Sequence, residues 1–386
     1  TTQTPISSFD ITDPKSGPSG GIRVAADLHR DRLEVRLSSG ILAALFAFPQ
    51  LGRPHFPEPS GSEGPMTVLG PEVVTVLVAG LPAESAELIR AALTDRLALV
   101  ATGDPTDVVP LDLGPATPVD GGIGFPLVGR PAERRLYDIA LRAGTVGWEV
   151  VAPHAVYYRS TWTDFGLAHI TDTHVARRID AFRPTLRDLG LTDAAARMCN
   201  VNDQFRGFVS FANRLHAAGE LDVIVATGDL IDYVHESDDN PEGLGNAGFL
   251  RDLILGRAPG PDWPVVEELR VPILMTPGNH DYRRHPYHLV FDVNIAGKDL
   301  YRVRNFSNLA LLEGEAMAVT NALYFPGSTE VPNLGKAAAT AMVEIDPQVQ
   351  AFRKALAEPG PHVARLGKHR VVLVDSAHDV GMPDSG

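Results

Sequence analysis

Cysteine is almost missing from this chain: Cys199 is the single one in 386 residues. An intrachain disulfide and a thiolate metal cage are both excluded, so any metal centre must be assembled from His, Asp, Glu and Asn. Long apolar runs are missing as well. The stretch from Ile41 to Phe48 falls far short of the ~20 apolar residues that a membrane-spanning helix needs, and no membrane span is expected. Nor is there a surplus of positive charge. With 34 Lys and Arg against 48 Asp and Glu the formal charge is -14, which weighs against nucleic acid or an anionic membrane as a bulk electrostatic partner. The sequence opens on Thr1 with no basic-then-apolar leader, which is read as a processed form or a fragment and leaves compartment and oligomeric state open.

What the sequence does supply is a globular composition, 44% hydrophobic and 21% charged, at a length that suits two domains. Residues 1–22 are rich in Ser, Thr, Pro and Gly and are expected to be a flexible lead-in. Over residues 23–160, short apolar runs (IRVAADL, LEVRL, VVTVLVAGL, LYDIALRAG, WEVVAPHAVYYR) are divided by Gly and Pro, so a β-rich, sandwich-like domain is expected. Within it, Leu88, Ile89, Ala92 and Leu93 lie at helical spacing, which predicts one helix over Ala83–Leu97. From residue 161 the texture changes. GLAHITDTH, DVIVATGD and VPILMTPGNHD read as strands, while Asn202–Ala217 aligns Phe205, Phe208, Val209, Ala212 and Leu215 on one helical face, and a second helix is expected at Phe249–Leu255. Such alternation predicts an α/β domain with buried central strands.

Three polar clusters close those strands: Asp172-Thr173-His174, Gly228-Asp229 with Asp232, and Gly278-Asn279-His280-Asp281. Strand ends are where α/β proteins gather their sites. Side chains two apart on an extended chain share a face, so Asp172 and His174 can aim at one point, where carboxylate and imidazole suit a divalent first-row metal. Gly228 allows a tight turn before Asp229, whose two oxygens could bridge a metal pair. Asn279 offers a neutral carbonyl ligand. His280 would lie beside a bound phosphate as proton donor or transition-state stabiliser, with Asp281 fixing its ring.

The ordered set D-x-H, G-D-x-x-D, G-N-H-D resembles the calcineurin-like metallophosphoesterase superfamily, over roughly Phe165 to Asp379. The resemblance implies an α+β four-layer sandwich over residues 161–386, two divalent ions (Mn, Fe or Zn), and hydrolysis of a small phosphorylated substrate, mono- or diester, by a hydroxide bridging the two ions. It would give Asp172 and His174 to the first metal, Asp229 to both, and Asn279 to the second. It also implies a His after the next strand, and His378, following the run Val371 to Val374, is the candidate; a helix with Val349, Phe352 and Leu356 precedes it. The family closes its site with G-H-x-H, and that string is absent. A C-terminally incomplete domain is therefore expected. The competing reading is natural loss of those ligands, in a degenerate fold used as a binding module. A β-sandwich ahead of such a domain is similar to the layout of purple acid phosphatases. Their tyrosinate position, three residues after the second-motif Asp, is here Asp232, with Tyr233 one later, which favours Mn, Fe(II) or Zn.

Other features have plainer readings. Asp27-Leu28-His29 repeats D-x-H without the later motifs and is read as structure. Gly243-x-Gly245-x-x-Gly248 follows a loop, not a strand, and is read as a flexible loop entering a helix rather than a dinucleotide fingerprint. His169 is read as a packed strand residue and Cys199 as inert. Arg283, Arg284, His285 and His288 form a solvated loop that could meet a substrate phosphate. Asp232 could orient a ligand or cap the next element, and the sequence does not choose.

Overall fold

Period-two alternation in short segments bounded by Gly and Pro makes strands, and the first half of the chain follows it. In the computed structural model the described residues are 7–12, 21–27, 32–37, 42–46, 49–58, 65–77, 90–119 apart from 92, 122–142, 147–234, 244–282 apart from 261, 264 and 265, 290–295, 298–303, 310–324, 351–357 apart from 354, and 360–375. Strands β1 (Ser7–Thr12), β2 (Gly21–Asp27), β3 (Arg32–Leu37), β4 (Leu42–Phe46), β5 (Met66–Leu77), β6 (Leu97–Ala101), β7 (Asp104–Leu113), β8 (Thr117–Val119), β9 (Gly122–Gly129), β10 (Arg135–Arg142) and β11 (Trp148–Tyr158) come first. They join in one hydrogen-bonded path, β1-β2-β3-β4-β5-β9-β7-β6-β10-β11, with β8 beside β9. Val68, Leu97, Leu99, Phe125, Tyr137 and Ile139 are among the residues that form a core under β5–β11.

Two expectations meet the described residues only in part. β1 and the start of β2 lie inside the stretch expected to be a flexible lead-in. Phe9 and Ile11 alternate with polar residues in SSFDIT, a strand pattern that the overall Ser, Thr, Pro and Gly count hides. The helix expected over Ala83–Leu97 falls mostly outside the described residues; Arg90, Ala91 and Leu93 are helical, and Leu97 already belongs to β6.

The second half contains mixed helices and sheets. Strand β12 (Leu167–Thr171) leads to α1 (Arg177–Asp188), α2 (Thr192–Arg197) and α3 (Val201–Ala217). There follow β13 (Val223–Thr227), α4 (Gly245–Ile254), β14 (Ile273–Thr276), β15 (Val290–Ile295), β16 (Lys298–Val303), β17 (Ala310–Leu312), α5 (Glu313–Tyr324), β18 (His362–Leu366) and β19 (His369–Leu373). The central sheet is parallel, in the order β12-β13-β14. Helix α3 follows the expected span: Phe205, Val209 and Ala212 are buried, and the Asn200 side chain caps the helix by accepting from the amides of Asn202 and Asp203. Ile224, Ile273 and Met275 of that sheet share a core with Val209, Leu250 and Leu253 of the helices.

Leu51, from the span expected to be the first domain, is buried in this second core. The Gly52 amide donates to the Leu356 carbonyl at 2.8 Å, and the Met275 amide donates to the Gly52 carbonyl at 2.8 Å. The two halves are also tied at the buried Asp222. It accepts from the Tyr157 hydroxyl at 3.2 Å and the Gly166 amide at 3.0 Å, and pairs with Arg134 at 2.9 Å and with Arg159. Around the expected fourth motif, Phe352 and Leu356 are buried, β18 and β19 pair antiparallel, and His378 lies outside the described residues. Among the described residues no helix is long and apolar enough to cross a membrane.

Candidate metal centre

The three strands of the parallel sheet end together. Thr171 is in register with Thr227, and Thr227 with Thr276, so the polar residues that follow leave the sheet at one level. Beyond the sheet the first two loops stay side by side: the amides of Asp172, His174 and Val175 donate to the carbonyls of Gly228, Asp229 and Leu230 at 3.1, 2.9 and 3.0 Å. The Asp232 amide returns the ladder to the Val175 carbonyl at 3.1 Å.

Holding these loops in that path strains the backbone. Asp172, His174 and Asp229 all adopt left-handed conformations, at φ 54°, 46° and 53°. That region costs a non-glycine residue on the order of 1–3 kcal/mol and is found where the surroundings over-determine it, commonly at ligand sites. Gly278 lets the third loop come close. A Cβ there would lie 2.4 Å from both the amide nitrogen and Oδ1 of Asp229, so only glycine fits.

The outcome is a compact donor group. His174, Asp229 and His280 place ligand-capable atoms within 4.8 Å of one another. Both imidazole Nε2 atoms lie 4.0 Å from Asp229 Oδ2, and His174 Nε2 lies 3.9 Å from Asp172 Oδ1. Two ligands bonded to one ion at about 2.0–2.2 Å each stand no more than about 4.4 Å apart, so these separations suit a shared divalent ion. Two imidazoles with carboxylates and no sulfur suit a divalent first-row metal. Asp172 stands at the exposed edge of the group, and Asn279 is exposed one residue before His280. The rings of His174 and His280 meet edge to face, their centroids 4.5 Å apart.

Behind the donors lies Asp232. Its carbonyl oxygen accepts from His280 Nδ1 at 2.9 Å, its Oδ1 lies 3.5 Å from His280 Nδ1 and 3.8 Å from His174 Nδ1, and Arg178 is paired with its Oδ2. Burial works to raise this carboxyl. The Arg178 charge, the His280 hydrogen bond and the charges of His280 and His174 outweigh burial and hold Asp232 well below the usual carboxylate range. Burial also pushes the His174 imidazole down, His280 adds to the effect, and Asp232, Asp229 and Asp172 offset part of it. A ring kept neutral is the form that offers a lone pair to a metal.

Asp281 departs from its expected role. Instead of fixing the His280 ring it is fully buried and accepts three backbone amides, from Gly278 at 2.7 Å, Ile231 at 2.9 Å and Leu230 at 3.2 Å. Its physical function is to brace the third loop against the second. Burial pushes this carboxyl up to about 7, against the three amides and with a further push from Asp229. His280, expected to act as a proton donor beside the ligands, stands inside the donor group.

Sequence reasoning missed Arg178 and two asparagines. Asn202, fully buried, accepts from the Ala176 amide at 3.2 Å and donates to the Ala176 carbonyl at 2.8 Å. Asn246, also fully buried, accepts from the Arg177 amide at 3.0 Å and donates to the Tyr233 carbonyl at 2.8 Å. The Gly-rich string around Asn246 thus serves packing: Gly245 opens α4 at φ 53°, and a Cβ on Gly248 would meet Leu244 at 2.9 Å. The available signal was an asparagine at the first turn of each of two helices, too common a pattern to single out.

Residues 165–336 match the family model described as calcineurin-like phosphoesterase. The matched span contains all three motif clusters and ends before His378. Neither the search of curated proteins nor that of solved structures found a match.

Proposed function

The chain carries a calcineurin-like phosphoesterase domain, and from that premise we propose that it hydrolyses small phosphomonoesters or phosphodiesters at a dinuclear metal centre. The observation that carries this reading is the convergence of His174, Asp229 and His280 from three separate strand ends. Those residues would hold metal, with Asp172 and Asn279 beside them and His378 as a further ligand. Divalent ions bound there would stabilise charge on the phosphoryl oxygens and make water a better nucleophile at neutral pH.

The protein's own part is positional and protonic. Because the Asp232 carbonyl only accepts, His280 Nδ1 carries a proton, and a neutral His280 ring presents the Nε2 lone pair toward Asp229. Asp229, reached by both imidazoles, is the residue with the least tolerance for change. With a formal charge of -14 the surface offers no general attraction to polyanions, which favours small substrates over nucleic acid.

The test is hydrolysis of p-nitrophenyl phosphate and bis(p-nitrophenyl) phosphate with Mn2+, Co2+ or Zn2+ supplied, for wild type and Asp229→Ala. Metal-dependent turnover that falls by about 10²-fold or more in the variant is expected. Turnover that ignores chelator, or that survives in Asp229→Ala, would remove the proposal. Metal uptake without turnover on any ester would instead favour a binding module.

A further inference from the structure

We propose that Arg178 is a positioning residue of the metal centre that acts through Asp232; the inference rests on the metal-centre reading above. Asp232 divides its two carboxylate oxygens. Oδ2 is paired with the Arg178 guanidinium, and Oδ1 faces both imidazoles, 3.5 Å from His280 Nδ1 and 3.8 Å from His174 Nδ1. One carboxylate oxygen therefore faces both rings as a charge, beside the bond that the Asp232 carbonyl accepts from His280 Nδ1 at 2.9 Å, and Asp232 as a whole bears on how their Nε2 atoms are aimed, provided that its own rotation is fixed. Arg178 fixes it by holding the other oxygen.

Arg178 is itself anchored. Its guanidinium carbon lies 4.6 Å over the Tyr233 ring, a contact that strengthens when shielded from water. It stands in the first turn of α1, whose entry at Ala176 and Arg177 is gripped by the buried amides of Asn202 and Asn246. The pair joins residues 54 positions apart, and its side chains are only 10% and 4% exposed. An ion pair buried for stability alone is a poor device, because desolvating the two charges largely cancels their attraction. A pair whose second oxygen is spent on two metal-binding rings has a use that an apolar replacement could not serve.

The experiment titrates Co2+ and Mn2+ into wild type, Arg178→Met, Arg178→Lys and Asp229→Ala. Affinity and the visible absorption of the Co2+ forms are read, while far-ultraviolet circular dichroism of the metal-free proteins reports folding. Arg178→Met is expected to bind about 10–100-fold more weakly, with a shifted absorption band. Arg178→Lys should fall between, since a cation remains but the planar fork is lost. Wild-type affinity and spectrum in a folded Arg178→Met would overturn the inference and leave the metal centre standing. Should Arg178→Met fail to fold, Arg178→Lys decides: a weakened site with an altered spectrum supports the inference, and wild-type values overturn it. If wild type takes up no more metal than Asp229→Ala, the metal-centre reading falls and this inference with it.

Discussion

On one side of the second-motif loop Asp232 meets charge: Arg178 on one oxygen, two imidazoles on the other. On the third loop, Asp281 has no cation among its partners in the described residues, only the amides of Gly278, Leu230 and Ile231. Both carboxylates are buried, yet one is held well below the ordinary range and the other is pushed up to about 7. The difference teaches that residue type and burial do not assign a role. A buried carboxylate paired with side chains can set the direction of those side chains, whereas one paired with amides sets the path of the backbone. On this comparison Asp232 belongs to the chemistry and Asp281 to the scaffold that brings three loops together.

The comparison breaks most visibly at Asp281. Asp281→Ala would leave three buried amide donors without an acceptor, each costing about 1–3 kcal/mol, so several kcal/mol should be lost in denaturant unfolding of the metal-free protein. A near-neutral result would mean that water replaces the carboxylate, and Asp281 would lose its standing as a brace. Next in size is Gly278→Ala, whose methyl would meet the Asp229 backbone and carboxylate at 2.4 Å. A loss of about 2–4 kcal/mol, or a displaced Asp229 and a weaker metal site, is expected by analogy with other overpacked positions. Smaller again is Asp232→Asn. It keeps the shape behind the two rings while removing the charge, and should weaken Mn2+ binding by about 10–100-fold, read by calorimetric titration. If metal-free stability fell more for Asp232→Asn than for Asp281→Ala, the division between chemistry and scaffold would be reversed.

Strand-end position was legible in the sequence because apolar runs stop at Thr171, Thr227 and Thr276, and the polar clusters begin within two residues. Helix α3 was legible because Phe205, Val209 and Ala212 keep the helical period. The partner of Asp232 was not, since Arg178 stands 54 positions away and no periodicity links a helix to a distant loop. Left-handed backbone at Asp172, His174 and Asp229 was equally hidden: local preference argues against it, and only the packing of neighbouring loops imposes it. Residues around Leu51 read as part of the first domain by position, but their backbone bonds to Leu356 and Met275 place them with the second core. Contacts between distant segments decide such assignments, and composition carries no record of them.

The finest test of the comparison is the slope of stability against pH in chelator-treated protein. Asp281 titrates near 3.8 in the unfolded chain and at about 7 in the folded one. Between those values the folded state binds a proton that the unfolded state lacks, so the stability contributed by protonated Asp281 is complete at low pH and is lost as pH rises toward 7. Asp232 acts in the opposite sense: its contribution is present above its unfolded value of 3.8 and is lost as pH falls through its depressed folded value. Relative to Asp281→Asn, which should be less stable throughout, metal-free wild type should therefore lose stability from about pH 4.5 to 7; the lowered His174 and His362 slope the opposite way but are common to both proteins. Asp138 is also raised, by burial, and slopes the same way, but it is common to both proteins and drops out of their difference. Urea unfolding at several pH values reads both slopes. Parallel profiles would mean that the three amides keep Asp281 ionised through this range, and the contrast with Asp232 would then rest on geometry alone.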